Sequence, residues 1–160
     1  PMRLGDLVEV EGVRGRVTEI GIRASTVRTA DGIESLLPNS AFLEQKLTNW
    51  TYTNPQTRQT IVIGVAYGTS LRQAAEVLQG VLARHGLVLK HPAPQVYLDE
   101  YADSAIRFAL TYWVDMTPES DSRRVKSDLL HMIDVAFAEA GLRMPFPQLD
   151  VHLDRGAAAP

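Results

Sequence analysis

The second half of the chain alternates strand and helix patterns in an order that few folds accommodate. A β-branched run from Arg58 to Tyr67 is followed by apolar residues at helical spacing between Leu71 and Leu82. A predicted hairpin about Ala102-Asp103 then precedes a second helical stripe, from Val125 to Ala140. The order strand, helix, strand, strand, helix, then a terminal strand is the split βαβ pattern of ferredoxin-like domains. It predicts an α+β layer with both helices on one face of the sheet.

One more strand pattern follows near the carboxyl terminus. The apolar residues Leu149, Val151 and Leu153 alternate with polar residues after the break at Pro145-Phe146-Pro147. Because proline cannot donate to a strand ladder, the break sets this strand apart from the preceding helix. The strand either closes the sheet of the second domain or pairs with another chain, since periodicity alone does not identify its partner.

The first part of the chain is predicted to be a small all-β domain. Val8 and Val10 alternate with acidic residues, and Gly12-Val13-Arg14-Gly15 supplies a tight reversal. Asp31-Gly32 is a strong hairpin-turn dipeptide, and Pro38-Asn39 closes the domain. A domain of about fifty residues buries too little surface to offset its loss of conformational entropy on folding comfortably. We therefore expect packing against neighbours to stabilise it.

These patterns predict four regions. Residues 1–50 form the small β-domain, and residues 51–57 are a polar connector with little periodicity. Residues 58–145 form the ferredoxin-like α+β domain. Residues 146–160 comprise a carboxyl-terminal assembly strand and a tail.

The composition and the motifs argue against an enzyme. The chain has no cysteine, and its four histidines show no metal-ligand spacing. Nucleophile elbows, Walker loops and dinucleotide-binding glycine motifs are missing from the sequence. The basic residues Arg123, Arg124 and Lys126 are mixed with acidic ones, which is typical of a solvated face. We therefore predict no catalysis, no cofactor, no metal and no nucleic-acid partner.

Membrane insertion is not predicted for the sequence as given. The most apolar stretch, Phe108 to Val114, is far shorter than the roughly 18 residues expected of a membrane span. We therefore expect the chain itself to be soluble.

Several segments together resemble one family, the small-conductance mechanosensitive channels. The similarity covers nearly the whole chain, and the ordered combination is specific although each piece alone is weak. The segments that carry it are Pro1–Asp6, Val10–Val17, Thr26–Gly32, Leu37–Asn39, Leu47–Trp50, Ile63–Tyr67, Asp128–Leu130, Ala140–Gly141 and Pro145–Val151.

The resemblance implies a homoheptameric cage on the cytoplasmic side of the bacterial inner membrane. In such a cage the final strands pair around the axis as a small barrel, and the transmembrane helices that precede Pro1 are missing from this chain. The vestibule serves assembly, filters the ions and small osmolytes released on hypoosmotic shock, and couples to gating and inactivation. The alternative is a stand-alone soluble ligand- or protein-binding module, since ferredoxin-like and small β-domains host many functions.

The resemblance also assigns candidate site residues. The β-domain turns and the surface facing the pore helix comprise Gly12, Gly15, Asp31, Gly32, Pro38, Asn39, Ser40 and Asn49. Ser40 stands where the family often has glycine. The subunit assembly strand comprises Pro147, Leu149, Val151 and Leu153.

Overall fold

The computed structural model describes residues 2–117, 121–154 and 156, and it has the predicted α+β class. Eight strands and three helices follow one another along these residues: β1 (Leu7–Val10), β2 (Val13–Ile20), β3 (Ala24–Arg28), β4 (Glu34–Pro38), α1 (Ala41–Glu44), β5 (Thr48–Asn49), β6 (Gln56–Val65), α2 (Leu71–Arg84), β7 (Gln95–Tyr101), β8 (Ile106–Asp115) and α3 (Ser122–Ala140). The strands form two separate sheets, one before and one after residue 50.

The first sheet is antiparallel and has five strands in the order β4-β3-β2-β1-β5. Alternation along these strands turns the valines inward, as the period of two requires. A compact core results, formed by Val8, Val10, Val17, Val27, Leu37 and Ala41. Such a small core supports the expectation that the β-domain benefits from contacts outside itself.

The second sheet has three strands in the order β6-β8-β7. β6 pairs with β8 along its whole length, from Gln56 opposite Asp115 to Val65 opposite Ile106. One face of β8 is buried by Ile106, Phe108, Leu110, Tyr112 and Val114. The buried stripes of α2 and α3 join these side chains in one continuous core, which places both helices on the same face, as predicted.

The helix ends show how local sequence fixes the two helices. The Ser70 hydroxyl accepts a hydrogen bond from the backbone N–H of Gln73 at the start of α2, at 3.4 Å. The Asp121 carboxylate accepts a hydrogen bond from the backbone N–H of Arg123 at the start of α3, at 2.9 Å. Gly141 ends α3 in the left-handed region, at φ 69°, where glycine carries no Cβ penalty.

The carboxyl-terminal strand pattern does not close the second sheet. Residues 142–154 form neither helix nor strand, so the sheet keeps three strands within the described part of the chain. Pro145 and Pro147 lack the N–H groups that a ladder requires, and the segment is held across the end of the sheet instead. Of the two pairings that the sequence left open, pairing with another chain remains as a prediction.

None of the helices within the described ranges combines the length and the apolar character that a bilayer-spanning helix requires.

Candidate functional site

The turn between β1 and β2 contains only part of the predicted glycine reversal. Glu11 and Gly12 adopt positive φ, at 52° and 77°, and carry the turn. Gly15 lies inside β2, opposite Val8, so its assignment to the turn was wrong. A Cβ at Gly15 would lie 2.3 Å from the backbone oxygen of Arg28. Glycine is needed there because the neighbouring strand β3 approaches too closely for any side chain.

The β3–β4 connection contains Asp31 and Gly32, as predicted. The Gly32 N–H donates to the carbonyl of Thr29 at 3.0 Å, and Gly32 has a φ of 81°. Both residues are exposed at the tip of the hairpin. The dipeptide therefore closes the turn, because glycine tolerates the positive φ required there.

Asn39 ties the end of β4 to the loop at residues 21–23. Its side-chain oxygen accepts from the Ser25 hydroxyl at 2.8 Å, and its amide nitrogen donates to the carbonyls of Gly21 and Ile22 at 2.9 and 3.1 Å. Pro38 ends β4 immediately before it, and Ser40 is exposed at the start of α1. These bonds fix the loop in a conformation that leaves the Ile22 side chain 98% exposed.

The loop and the elements next to Asn39, β4 and α1, carry exposed apolar residues, which we call together the loop surface. Ile22, Leu36 and Leu43 are its large apolar members, from the loop, β4 and α1. A contiguous exposed apolar patch marks a contact surface for another protein or for lipid. Asn39 and Ser40, two of the predicted site residues, lie at the junction of these elements.

Asn49 belongs to a different network, centred on the buried Asp6. The Asn49 side-chain amide donates to the Asp6 carboxylate at 2.7 Å, and the Thr51 hydroxyl lies 3.3 Å from the other carboxylate oxygen. The backbone N–H of Arg3 also donates to Asp6, at 3.0 Å. The carboxylate thus joins the start of the β-domain to its end, and Asn49 acts inside the domain.

The segment after α3, which we call the carboxyl-terminal segment (residues 142–154), is anchored before its apolar alternation begins. The carbonyl of Arg143 accepts from the Ala66 N–H, and the Gln148 N–H donates to the Ser104 hydroxyl, both at 3.2 Å. Between these bonds Pro145 packs so closely on Gly64 that a Cβ there would lie 3.2 Å from the proline ring. Pro147 therefore lies in the anchored part of the segment.

Beyond Gln148 the carboxyl-terminal segment leaves the domain surface. The side chains of Leu149, Val151 and Leu153 are 86%, 63% and 87% exposed. Such exposure of three alternating apolar residues is costly for a chain that stays alone in water. The apolar residues of the predicted assembly strand are thus all exposed, and they lie outside both sheets; their pairing with another chain stays a prediction.

No cluster of three or more His, Asp or Glu side chains suited to a metal ion occurs within residues 2–117 and 121–154.

Two family models match the chain and together cover most of it. Residues 1–52 match the mechanosensitive ion channel β-domain, and residues 59–144 match the carboxyl-terminal region of the mechanosensitive ion channel MscS. The chain belongs to the MscS family of mechanosensitive ion channels. The resemblance deduced from the sequence is thereby confirmed.

Individual relatives agree with the family models. The chain is 30% identical to an uncharacterised MscS family protein of Archaeoglobus fulgidus, over 92% of this chain and 51% of the relative. It is 35% identical to the mechanosensitive channel MscK of Escherichia coli, over 96% of this chain and 14% of the relative. The chain therefore spans about half, or much less, of the curated relatives it matches.

Solved structures show the same fold. The crystal structure of Helicobacter pylori MscS in its closed state superimposes with a TM-score of 0.84 at 22% identity, over 97% of this chain and 60% of that one. Arabidopsis thaliana MSL1 superimposes with a TM-score of 0.71 at 18% identity, over 92% of this chain and 54% of that one. The arrangement of two sheets is thus a fold that these two solved structures share.

Proposed function

We propose that this chain is the cytoplasmic vestibule of a mechanosensitive channel, which lets ions and small osmolytes leave the cell on hypoosmotic shock. In this role it assembles with copies of itself, seven in the complete channel, and lies on the cytoplasmic side of the bacterial inner membrane. It filters solutes at the pore and couples to gating and inactivation, without catalysis. The observation that carries the proposal is the exposed apolar alternation of the carboxyl-terminal segment.

The geometry of that segment supports assembly through strand pairing. The anchors at Ala66, Ser104 and Gly64 hold the segment up to Gln148 and direct the following residues away from their own sheet. Identical segments from several copies can then pair with one another, and closing them into a barrel removes every free edge. Burial of a leucine or valine side chain contributes about 1.5–3 kcal/mol, so alternate apolar residues suit a barrel interior.

The loop surface supports a second contact, toward the part of the channel that adjoins the β-domain. Ile22, Leu36 and Leu43 are exposed on the loop, β4 and α1, the elements that meet at the predicted site residues Asn39 and Ser40. In the proposed channel this end receives the pore helix or a neighbouring subunit. The β-domain, with its small core, would be stabilised by such a contact.

The proposal is tested by substituting the apolar and the polar positions of the assembly strand separately. The double variant Leu149→Ser/Leu153→Ser removes apolar side chains, and the control Asp150→Ser/Asp154→Ser changes the alternate positions of the same segment. Sedimentation velocity should show a lower mass for the leucine variant and the wild-type mass for the control, because only the apolar side chains become buried on assembly. An unchanged mass in the leucine variant would remove the segment from the assembly.

A further inference from the structure

Arg16 joins two parts of the chain that are far apart in sequence. Its Nη1 donates to the carbonyl of Gly5 at 2.9 Å, and its Nη2 donates to the carbonyl of Met116 at 3.0 Å. Gly5 belongs to the leading segment, residues 3–6, and Met116 follows the last strand of the second sheet. We infer that Arg16 is a positioning residue that fixes the leading segment to the second domain.

The leading segment is firmly built into the β-domain at the Arg16 end of the bridge. The Gly5 N–H donates to the carbonyl of Val17 at 2.8 Å, and the Val17 N–H donates back to the carbonyl of Asp6 at 2.9 Å. The Asp6 carboxylate adds its bonds to Arg3, Asn49 and Thr51. The Gly5 carbonyl is therefore an acceptor whose position is set by the sheet.

The other end of the bridge is equally fixed. The Met116 side chain is buried in the core of the second domain, and its backbone N–H donates to the carbonyl of Pro55 at 2.7 Å. Leu7, which pairs with Arg16 across β1 and β2, packs against that same core. The guanidinium therefore joins the Gly5 carbonyl of the β-domain to the Met116 carbonyl of the second domain. Beside it, Leu7 makes an apolar contact between the same two domains.

Arginine suits this bridge because its donors are fixed in a planar fork. Two of its nitrogens reach different carbonyls without a change of rotamer, and hydrogen bonds from a charged donor are stronger than neutral ones. The side chain is partly buried, which limits competition from water. A rigid bridge makes the leading segment move with the second domain.

The consequence for a channel rests on the proposed function, because the leading segment resembles the stretch that follows the pore helix. In that setting Arg16 transmits a displacement of the second domain directly to the segment nearest the pore. The coupling within this chain does not depend on that setting. It can be measured on the chain alone.

The test measures the distance between the two domains. Because the chain has no cysteine, Glu34→Cys and Asp134→Cys place one spin label on an exposed site in each domain. Labelled chain is diluted with unlabelled chain, so that pulsed electron resonance reports distances within one copy. Arg16→Gln removes the charge and the planar fork of donors and leaves one shorter amide, while Arg16→Met removes every donor. The methionine variant keeps an apolar stem in place of the aliphatic part of the arginine.

Both Arg16 variants should broaden the distance distribution, while circular dichroism stays that of the folded chain. The control Arg28→Gln, at the exposed position opposite Arg16 on β3, removes the same charge and should keep the wild-type width. If either Arg16 variant keeps the wild-type width, or if Arg28→Gln broadens it equally, the inference fails. A narrow wild-type distance in a chain that never assembles would contradict the proposed function and leave the Arg16 bridge standing.

Discussion

Gly15→Val should destabilise the β-domain severely, because Gly15 lies on β2, an interior strand of the first sheet. A Cβ there would lie 2.3 Å from the Arg28 oxygen and 2.9 Å from a methyl carbon of Val27. Backbone cannot yield as a flexible side chain can, so β2 and β3 must separate. Overpacking of this kind costs about 1–3 kcal/mol and sometimes more, which is a large share of the stability of so small a domain.

Urea unfolding followed through the amide signals of β2 and β3 measures this effect of Gly15→Val. Gly86→Ala is the matched control, since a Cβ there meets no atom within 4 Å and Gly86 has no positive φ. It should change the free energy of unfolding by less than about 0.5 kcal/mol. Equal stabilities for Gly15→Val and the wild type would show that the strands are not as close as described.

Raising the pH above 10 should destabilise the chain through Tyr112, which is 1% exposed in the second core. Burial raises the pKa of the Tyr112 phenol from 10.0 to about 12. Between these values the unfolded chain loses the proton and the folded chain keeps it, so unfolding becomes more favourable as the pH rises. The contribution is fully present below pH 10 and declines by about 1.4 kcal/mol per pH unit up to about pH 12.

The measurement compares the free energy of unfolding at pH 9, 10 and 11 for the wild type and Tyr112→Phe. The phenylalanine variant should lose stability less steeply, because it has no buried phenol to ionise. Tyr97→Phe removes an exposed phenol from β7 and should keep the wild-type slope. Parallel slopes for the wild type and Tyr112→Phe would contradict the described burial of the phenol.

Periodicity predicted the second domain well because its side chains alternate between a buried and an open face. The strand beginning near Arg58, the helix from Leu71 and the hairpin about Ala102-Asp103 all form close to where the sequence placed them. Each depends on local repeats and turn residues, which a single sequence displays directly. The same reasoning identified Gly32 as a turn glycine in the β-domain.

Tertiary contacts explain where sequence reasoning failed. The residues around Gly15 in the sequence are typical of a turn. Glycine is required there, however, because the Arg28 backbone on β3 approaches too closely for a side chain. Leu149 to Leu153 have a strand period, but a strand exists only with a partner, and this chain supplies none within its described residues. A periodic pattern therefore predicts which residues lie on one face of a strand but not what that face contacts.

The candidate site shows the same division. Asn39 was singled out by the resemblance, and its hydrogen bonds to Gly21, Ile22 and Ser25 give it a structural task at the loop surface. Asp6 and Arg16 were not singled out as site residues, because their partners lie up to 100 positions away in the sequence. The one indication of Asp6 in the sequence was its place in Pro1–Asp6, a segment that resembles the family.

The absolute mass of the chain in solution shows whether copies of it assemble with one another. Light scattering over a concentration series measures that mass without reference to shape. We expect a mass that rises with concentration toward seven times that of one chain, as the carboxyl-terminal segments pair. A mass of one chain at every concentration would contradict the assembly role assigned to Leu149, Val151 and Leu153.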